Sequence, residues 1–259
     1  MNIVVLVKQV PDTWAERKLK DSDKTLDRAS VDVVMNEIDE YAVEEALKIK
    51  EASGGEVTIL TMGPDRAVET IRKALSMGAD KAVHLSDDAL AGSDAVQTSY
   101  ALAKVLETLE YDLVIAGSEA TDSRMAIMAA LLAERTGKPQ LSGARKVTVD
   151  GSTIRIERQT ENGYDVVEAA APAIVSVVEK INEPRYPSFK GIMAAKKKPL
   201  TTLTLADAGI EADKVGLGSA PSQVVEFANK PPRQAGQIVK DEGDGGAKIA
   251  EYLASQKLV

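Results

Sequence analysis

Val57-Thr58-Ile59-Leu60-Thr61-Met62-Gly63-Pro64, followed by Ala67, Ile71, Ala74 and Leu75 at helical spacing and closed by Gly78, is the stretch that decides the fold. An apolar run ending on Gly-Pro reads as a buried strand and its turn. The stripe behind it reads as an amphipathic helix, with Pro64 in its first turn and Gly78 just past its end.

The same unit recurs on both sides of this stretch. Upstream, Asn2 to Lys8 is a continuous apolar run closed by a charge, which predicts a buried central strand. Gln9-Val10-Pro11-Asp12 follows, and the proline is expected to take the chain out of regular structure. Residues 12 to 34 are polar and mixed, carry the single tryptophan Trp14, and are expected to be irregular or a short hairpin. Ile38, Ala42, Ala46 and Ile49 then stripe a helix from an Asn36 N-cap to Gly54-Gly55. Downstream, Ala82 to Leu85 is a strand, and Ser93 is the expected cap of a helix carrying Val96, Tyr100, Ala103 and Leu106. Asp112 to Ala116 is a fourth buried strand, followed by Gly117-Ser118-Glu119-Ala120-Thr121-Asp122-Ser123 and a helix to Gly137. Alternation of this kind predicts right-handed βαβ units: a Rossmann-like α/β fold, with a mainly parallel open sheet and helices on both faces.

From Arg145 the period changes. Val147, Val149, Ile154 and Ile156 alternate with polar residues around Asp150-Gly151, and Gly163 marks a second turn before Val166-Val167, so antiparallel strands are expected at one edge. Ala173 to Val178 reads as one more buried strand. Residues 200 to 230 mix short apolar runs with glycines and are expected to hold little regular structure. The tail after Pro231-Pro232 holds a Gly243-Asp244-Gly245-Gly246 linker and one amphipathic helix with Ile249, Leu253 and Leu258. The expected organisation is an α/β domain over residues 1–230 and a C-terminal arm over 231–259 that wraps another subunit.

Composition removes several classes of function. There is no cysteine, so disulfides, iron-sulfur clusters and thiol chemistry are excluded. A lone histidine, His84, argues against a zinc site or a histidine-based triad, and its place between Val83 and Leu85 marks it as structural. A net charge of -8 argues against general nucleic-acid binding. No apolar run is long enough to cross a bilayer, and the N-terminal run is too short for a signal peptide, so a cytoplasmic protein is expected. No paired carboxylates or activated serine emerge, and neither catalytic residues nor a metal site are expected.

In an open parallel sheet, ligands bind at the carboxyl ends of strands, where helix N-termini offer free amides. Lys8-Gln9, Met62-Gly63 and the loop Gly117 to Ser123 occupy such ends. In that loop Gly117 permits close backbone approach, Ser118, Thr121 and Ser123 can donate to phosphate, and Asp122 can accept from ribose or cap the helix. The alternative is a plain turn with its N-cap. No glycine fingerprint or phosphate loop supports a dinucleotide site of the familiar kinds.

One further stretch stands apart. Asn182-Glu183-Pro184-Arg185-Tyr186-Pro187-Ser188-Phe189-Lys190-Gly191-Ile192-Met193-Ala194-Ala195-Lys196-Lys197-Lys198-Pro199 reads as an exposed loop and a short basic helix. It offers Tyr186, Phe189, Ile192 and Met193 as partner anchors. Lys196, Lys197 and Lys198 are either a solvated charge run or a basic rim that steers an acidic partner.

This stretch strongly resembles the signature of the small (β) subunit of electron transfer flavoprotein. The resemblance extends through Val7 to Asp12, Asn36 to Ala46, Gly63-Pro64, Ile71 to Asp80 and Ala235-Gly236. It implies a heterodimer with a larger α subunit that holds the redox-active FAD in a groove completed by this chain. Acyl-CoA dehydrogenases would deliver electrons, and a membrane quinone reductase would receive them. It further implies a structural AMP in this chain, held by Leu6, Val7 and Lys8, by Asn36 and Asp39, by Met62 and Gly63, and by Gly117, Ser118, Glu119, Ala120, Thr121, Asp122 and Ser123. In electron-bifurcating relatives a second FAD takes that place. Where the family carries an amide and a helix-start glycine, this chain reads Ser123-Arg124-Met125-Ala126-Ile127-Met128. Either the phosphate contacts shift to backbone amides and Ser123, with Arg124 adding charge, or the nucleotide is held weakly. The family's recognition arm inserts a leucine into the dehydrogenase, and Phe189 stands at the matching position, with Lys196 and Lys197 beside it. A stand-alone AMP- or ATP-binding module of the universal-stress type shares the sheet layout but needs neither the arm nor the tail.

Overall fold

In the computed structural model, which describes residues 1–259 apart from Gln234 and Gln237, the chain runs in the following order. β1 (Asn2–Leu6), β2 (Gln9–Pro11) and β3 (Val33–Met35) precede α1 (Glu37–Ser53). Then come β4 (Glu56–Met62), α2 (Val68–Met77), β5 (Lys81–Leu85), α3 (Ala95–Leu106), β6 (Leu113–Gly117) and α4 (Met128–Thr136). The strands β7 (Gln140–Asp150), β8 (Thr153–Thr160), β9 (Gly163–Ala170) and β10 (Ala173–Val177) follow. The last elements are α5 (Phe189–Ala195), β11 (Leu200–Leu203) and α6 (Gly245–Ser255). Residues Met1–Val225 form one unit and Glu226–Val259 a second.

In the first unit nine strands make one sheet in the order β11-β5-β4-β1-β6-β10-β7-β8-β9. The continuous apolar runs form its centre, because a strand covered by helices on both faces has no solvent side to keep polar. Ile3, Val5 and Val7 pack into the core on one face with α1 and α2. Val4 and Leu6 pack on the other with α3 and α4. The sheet is thus doubly wound, as alternating strands and helices require. Ile59 is fully buried in β4, and cutting it to alanine is expected to cost about 2 to 5 kcal/mol. At the far edge β7 runs parallel to β10 over its first residues and then antiparallel to β8, and β9 closes the edge. The turn at Asp150-Gly151 and the one before Gly163 stand where the alternation placed them.

Five local expectations are corrected. Pro11 does not leave regular structure: it is the last residue of β2 and pairs with Val33 in a two-stranded ribbon with β3. A proline is tolerated there because the missing N–H can face away from the single partner strand. Between these strands the chain turns back through a Leu19–Leu26 bridge, a short hairpin. Ser93 does not cap α3. Asp94 does, in a reciprocal box with Gln97, while the Ser93 hydroxyl accepts from the Gly216 amide at 2.8 Å. The box satisfies two orphan amides where a lone serine satisfies one. Ala103 and Leu106 are buried on α3 as expected, together with Ala101, Leu102 and Val105, but Val96 is exposed. The helix after β6 begins only at Met128, because Arg124 and Ala126 take left-handed backbone with φ of 50° and 53°. Finally, residues 200 to 230 include β11, which adds a parallel strand beside β5.

In the second unit α6 follows Asp241, whose Oδ1 accepts from the Gly243 and Gly245 amides. Ile249 and Tyr252 are exposed on α6, and Leu258 lies past its end. Among the described residues no helix is long and apolar enough to cross a membrane.

Candidate functional site

β1 is the switch point of the sheet, with β4 on one side and β6 on the other. At the carboxyl ends of these three strands lies a cavity of about 350 Å³. Leu6, Leu60, Met62, Leu102, Ala116 and Met128 make its apolar wall, and Lys8, Arg28, Asp122 and Ser123 are among its polar lining. Parallel strands that end together leave this crevice because their connecting loops diverge to opposite faces.

The site rests on a buried polar knot. Asn36 holds the N-cap position of α1 yet caps nothing with its side chain. Its Nδ2 donates instead to Asp39 Oδ1 at 3.0 Å and to the Glu119 carbonyl at 2.9 Å, while its Oδ1 accepts from the Thr121 amide at 3.0 Å. Asp39 Oδ2 accepts from the Lys8 amide at 2.8 Å. The end of β1, the start of α1 and the loop after β6 are therefore tied at one place. Burial pushes the Asp39 carboxyl up to about 7, against the pull of the Asn36 and Lys8 hydrogen bonds. Gly117 is part of the same knot. A Cβ there would stand 2.5 Å from Asp39 Oδ1 and 3.0 Å from Ile38 Cγ2, so the close approach glycine permits is to the protein itself.

Asp122 is sealed, with its side chain 1% exposed, between Lys8 at 2.9 Å and the Arg28 guanidinium. Burial raises its pKa, but the two cations outweigh that and hold the carboxyl below the ordinary range. It therefore does not cap α4, which starts six residues later at Met128, and each of its oxygens accepts from one of the two cations. Arg28 comes from the hairpin segment between β2 and β3, which also bonds to the Thr121 carbonyl through Arg17 and receives Arg66 on the Arg28 carbonyl.

Of the residues marked in the sequence, Leu6, Val7, Lys8, Asp39, Met62, Gly117, Ser118, Glu119, Ala120, Asp122 and Ser123 line this cavity. Asn36, Gly63 and Thr121 do not. Asn36 is fully buried in the knot, the Gly63 carbonyl pairs with His84 Nε2 at 2.9 Å, and Thr121 is buried with its amide on Asn36. Arg124 is exposed and outside the lining. Arg28, Leu26 and the start of α3 (Ser93 to Ala95, Thr98) join the site without having been marked. Nothing periodic flags Arg28, and an arginine in a polar segment carries no signal of its own. Among the described residues no cluster of acidic or histidine side chains is placed to hold a metal.

On the 182–199 stretch, Tyr186 and Phe189 are 96% and 80% exposed, and Ile192 and Met193 about half exposed. Phe189 opens the short helix α5, which Ser188 caps through the Gly191 amide. Lys196 and Lys197 are exposed, whereas Lys198 turns inward and donates to the Leu75 and Ala79 carbonyls at the end of α2. Arg72 of α2 reaches back to the Ala195 and Lys198 carbonyls, and Arg185 forks onto Glu44 and Glu51 of α1.

The model of the electron transfer flavoprotein domain matches residues 23–208. Over its full length the chain is 57% identical to the electron transfer flavoprotein subunit beta of Mycobacterium leprae, covering 99% of that protein. It is 58% identical to the corresponding subunit of Mycobacterium tuberculosis strain H37Rv, again covering 99%. A more distant relative is the caffeyl-CoA reductase-Etf complex subunit CarD of Acetobacterium woodii, 36% identical with 92% of each chain covered. At this identity and coverage the chain belongs to the electron transfer flavoprotein family, as a β subunit with a role in electron transfer.

Proposed function

We propose that this chain holds a structural AMP in the cavity at the sheet's switch point, and that with a larger α subunit it completes the groove in which that subunit keeps the redox-active FAD. The observation that carries this reading is the cavity itself. Its apolar wall at Leu60, Met62 and Leu102 suits an adenine ring, and its cations Lys8 and Arg28 suit a phosphate. A volume of about 350 Å³ lies at the small end of ligand sites, which favours a mononucleotide over a second FAD.

FAD supplies the redox chemistry when bound, and this chain contributes packing and docking. Electrons come from acyl-CoA dehydrogenases, which dock on Phe189 and its neighbours, and pass to a membrane quinone reductase. The segment 231–259 embraces the α subunit, with Ile249 and Tyr252 of α6 as apolar contacts. Removing residues 233–259 is expected to abolish assembly with the α subunit while the melting temperature of the sheet unit stays unchanged. Unaltered co-purification of the truncated chain refutes the arm.

The test of the whole reading is expression of the chain with and without its α subunit, followed by nucleotide extraction and visible spectra. One AMP per chain and no colour in the single chain are expected. A second reading, a flavin-holding subunit of a bifurcating assembly, is favoured by the CarD relative, whose name places it in a reductase complex. A single chain that is stoichiometrically yellow establishes that second reading and overturns the first.

A further inference from the structure

We propose that Arg28 is the phosphate ligand of the cavity, held in place by Asp122, so that a bound nucleotide fastens the hairpin segment between β2 and β3 over the site. The inference rests on the adenine-nucleotide reading and deepens it. Arginine presents its N–H donors in a rigid fork. Nη2 of Arg28 is engaged by Asp122, while Nη1 is buried and has no hydrogen-bond partner among the described residues. A buried donor on a charged group that lacks a partner is costly, and such groups are rare unless a ligand or water meets them.

The fork is not free to turn away. Its own carbonyl accepts from Arg66, and its Nη2 is fixed on a carboxylate that Lys8 also grips. The lining holds two cations, Lys8 and Arg28, against four carboxylates, Asp39, Asp94, Glu119 and Asp122, so it is the unpartnered Nη1 and not net charge that calls for an anion. Of the other carboxylates in the lining, Asp39 is engaged by Asn36 and the Lys8 amide, and Asp94 by the Gln97 amide and Ser222. Among the described residues Glu119 is left as the lining carboxylate free to compete for the same donor. The unengaged N–H on a guanidinium of the cavity lining suits the oxyanion of a phosphate ester, for which the guanidinium fork is the matching donor. Because the hairpin segment reaches the loop after β6 through Arg17 and Arg28, an anion on Arg28 adds a third tie between them.

The experiment is equilibrium dialysis of the nucleotide-free full chain against AMP and against adenosine, in the wild type, Arg28→Gln and Arg28→Lys, with melting temperatures recorded for each. The wild type is expected to bind AMP at least about tenfold more tightly than adenosine. Arg28→Gln should lose about that factor for AMP and keep adenosine within about twofold. Arg28→Lys keeps the charge but replaces the rigid planar fork with a single ammonium, so it should fall between the two and remain the deciding variant if Arg28→Gln does not fold. Equal loss of AMP and adenosine in the variants makes Arg28 structural and overturns the assignment. Unchanged AMP binding means that Nη1 is met by water, and also overturns it. If the wild type binds neither compound, the nucleotide reading itself falls, a result distinct from either of these.

Discussion

The cavity and the exposed patch on 182–199 are built on opposite terms. Around the cavity, polar groups are buried and engage one another: Asn36 with Asp39, Asp122 with Lys8 and Arg28. On the patch, large apolar groups are exposed, Tyr186 and Phe189 most of all. Replacing a residue of the first region changes the stability of this chain, because an unpartnered polar group or a clash is left inside. Replacing one of these exposed apolar residues leaves the isolated chain unaffected, because its surface gains only when a partner covers it. The two regions are therefore separable by where a mutation is felt.

The largest effect that tests this contrast is expected at Gly117. Gly117→Val drives a side chain into Asp39 and Ile38 and should cost about 3 kcal/mol or more in denaturant unfolding. Stability equal to the wild type would show that the knot yields and that the contrast is false. Next is the pH profile. With Asp39 raised to about 7 by burial, the folded state keeps a proton that the unfolded chain releases above about pH 4. Stability should then fall by roughly 1 kcal/mol per pH unit between about pH 4 and pH 7. Asp39→Asn should flatten that slope in urea titrations, and an unchanged slope assigns it to another group. Third, Phe189→Ala should slow electron transfer from an acyl-CoA dehydrogenase at least about tenfold with no change in melting temperature. A lowered melting temperature would move Phe189 into the first region. Smallest, Lys196→Ala with Lys197→Ala should reduce the association rate at low salt and lose that effect as ionic strength rises. A reduction that persists at high salt would argue against steering.

What was legible followed from burial. β1, β4, β6 and β10 are apolar runs covered on both faces, and such runs announce themselves whatever surrounds them. The strand ends were legible for the same reason, and with them most of the cavity lining. What was not legible depended on choices between near-equivalent local solutions. Ser93 and Asp94 are both good caps, and only Gln97 three residues beyond Asp94 decides between them. β11 is a short strand whose pairing with β5 is a tertiary fact, not a pattern in Leu200 to Leu203. The ion pair of Asp122 is not legible because its partner Arg28 lies far away in sequence, and pairs across such separations leave no periodicity. The glycine at 117 is legible as a site of close approach, whereas its approach to Asp39 is a tertiary fact.

The short helix that carries Phe189 is gripped from both sides. Arg72 and Lys198 cross between it and α2, Arg185 anchors the loop before it, and a Cβ on Gly191 would come within 2.5 Å of the Ser76 carbonyl. A segment fixed in this way has already given up its freedom before any partner arrives, so docking need not order it. The arm then behaves as a rigid prow rather than a tether. On the docking role proposed above, encounters with a dehydrogenase should be limited by orientation and charge, and release should be quick because no refolding accompanies it.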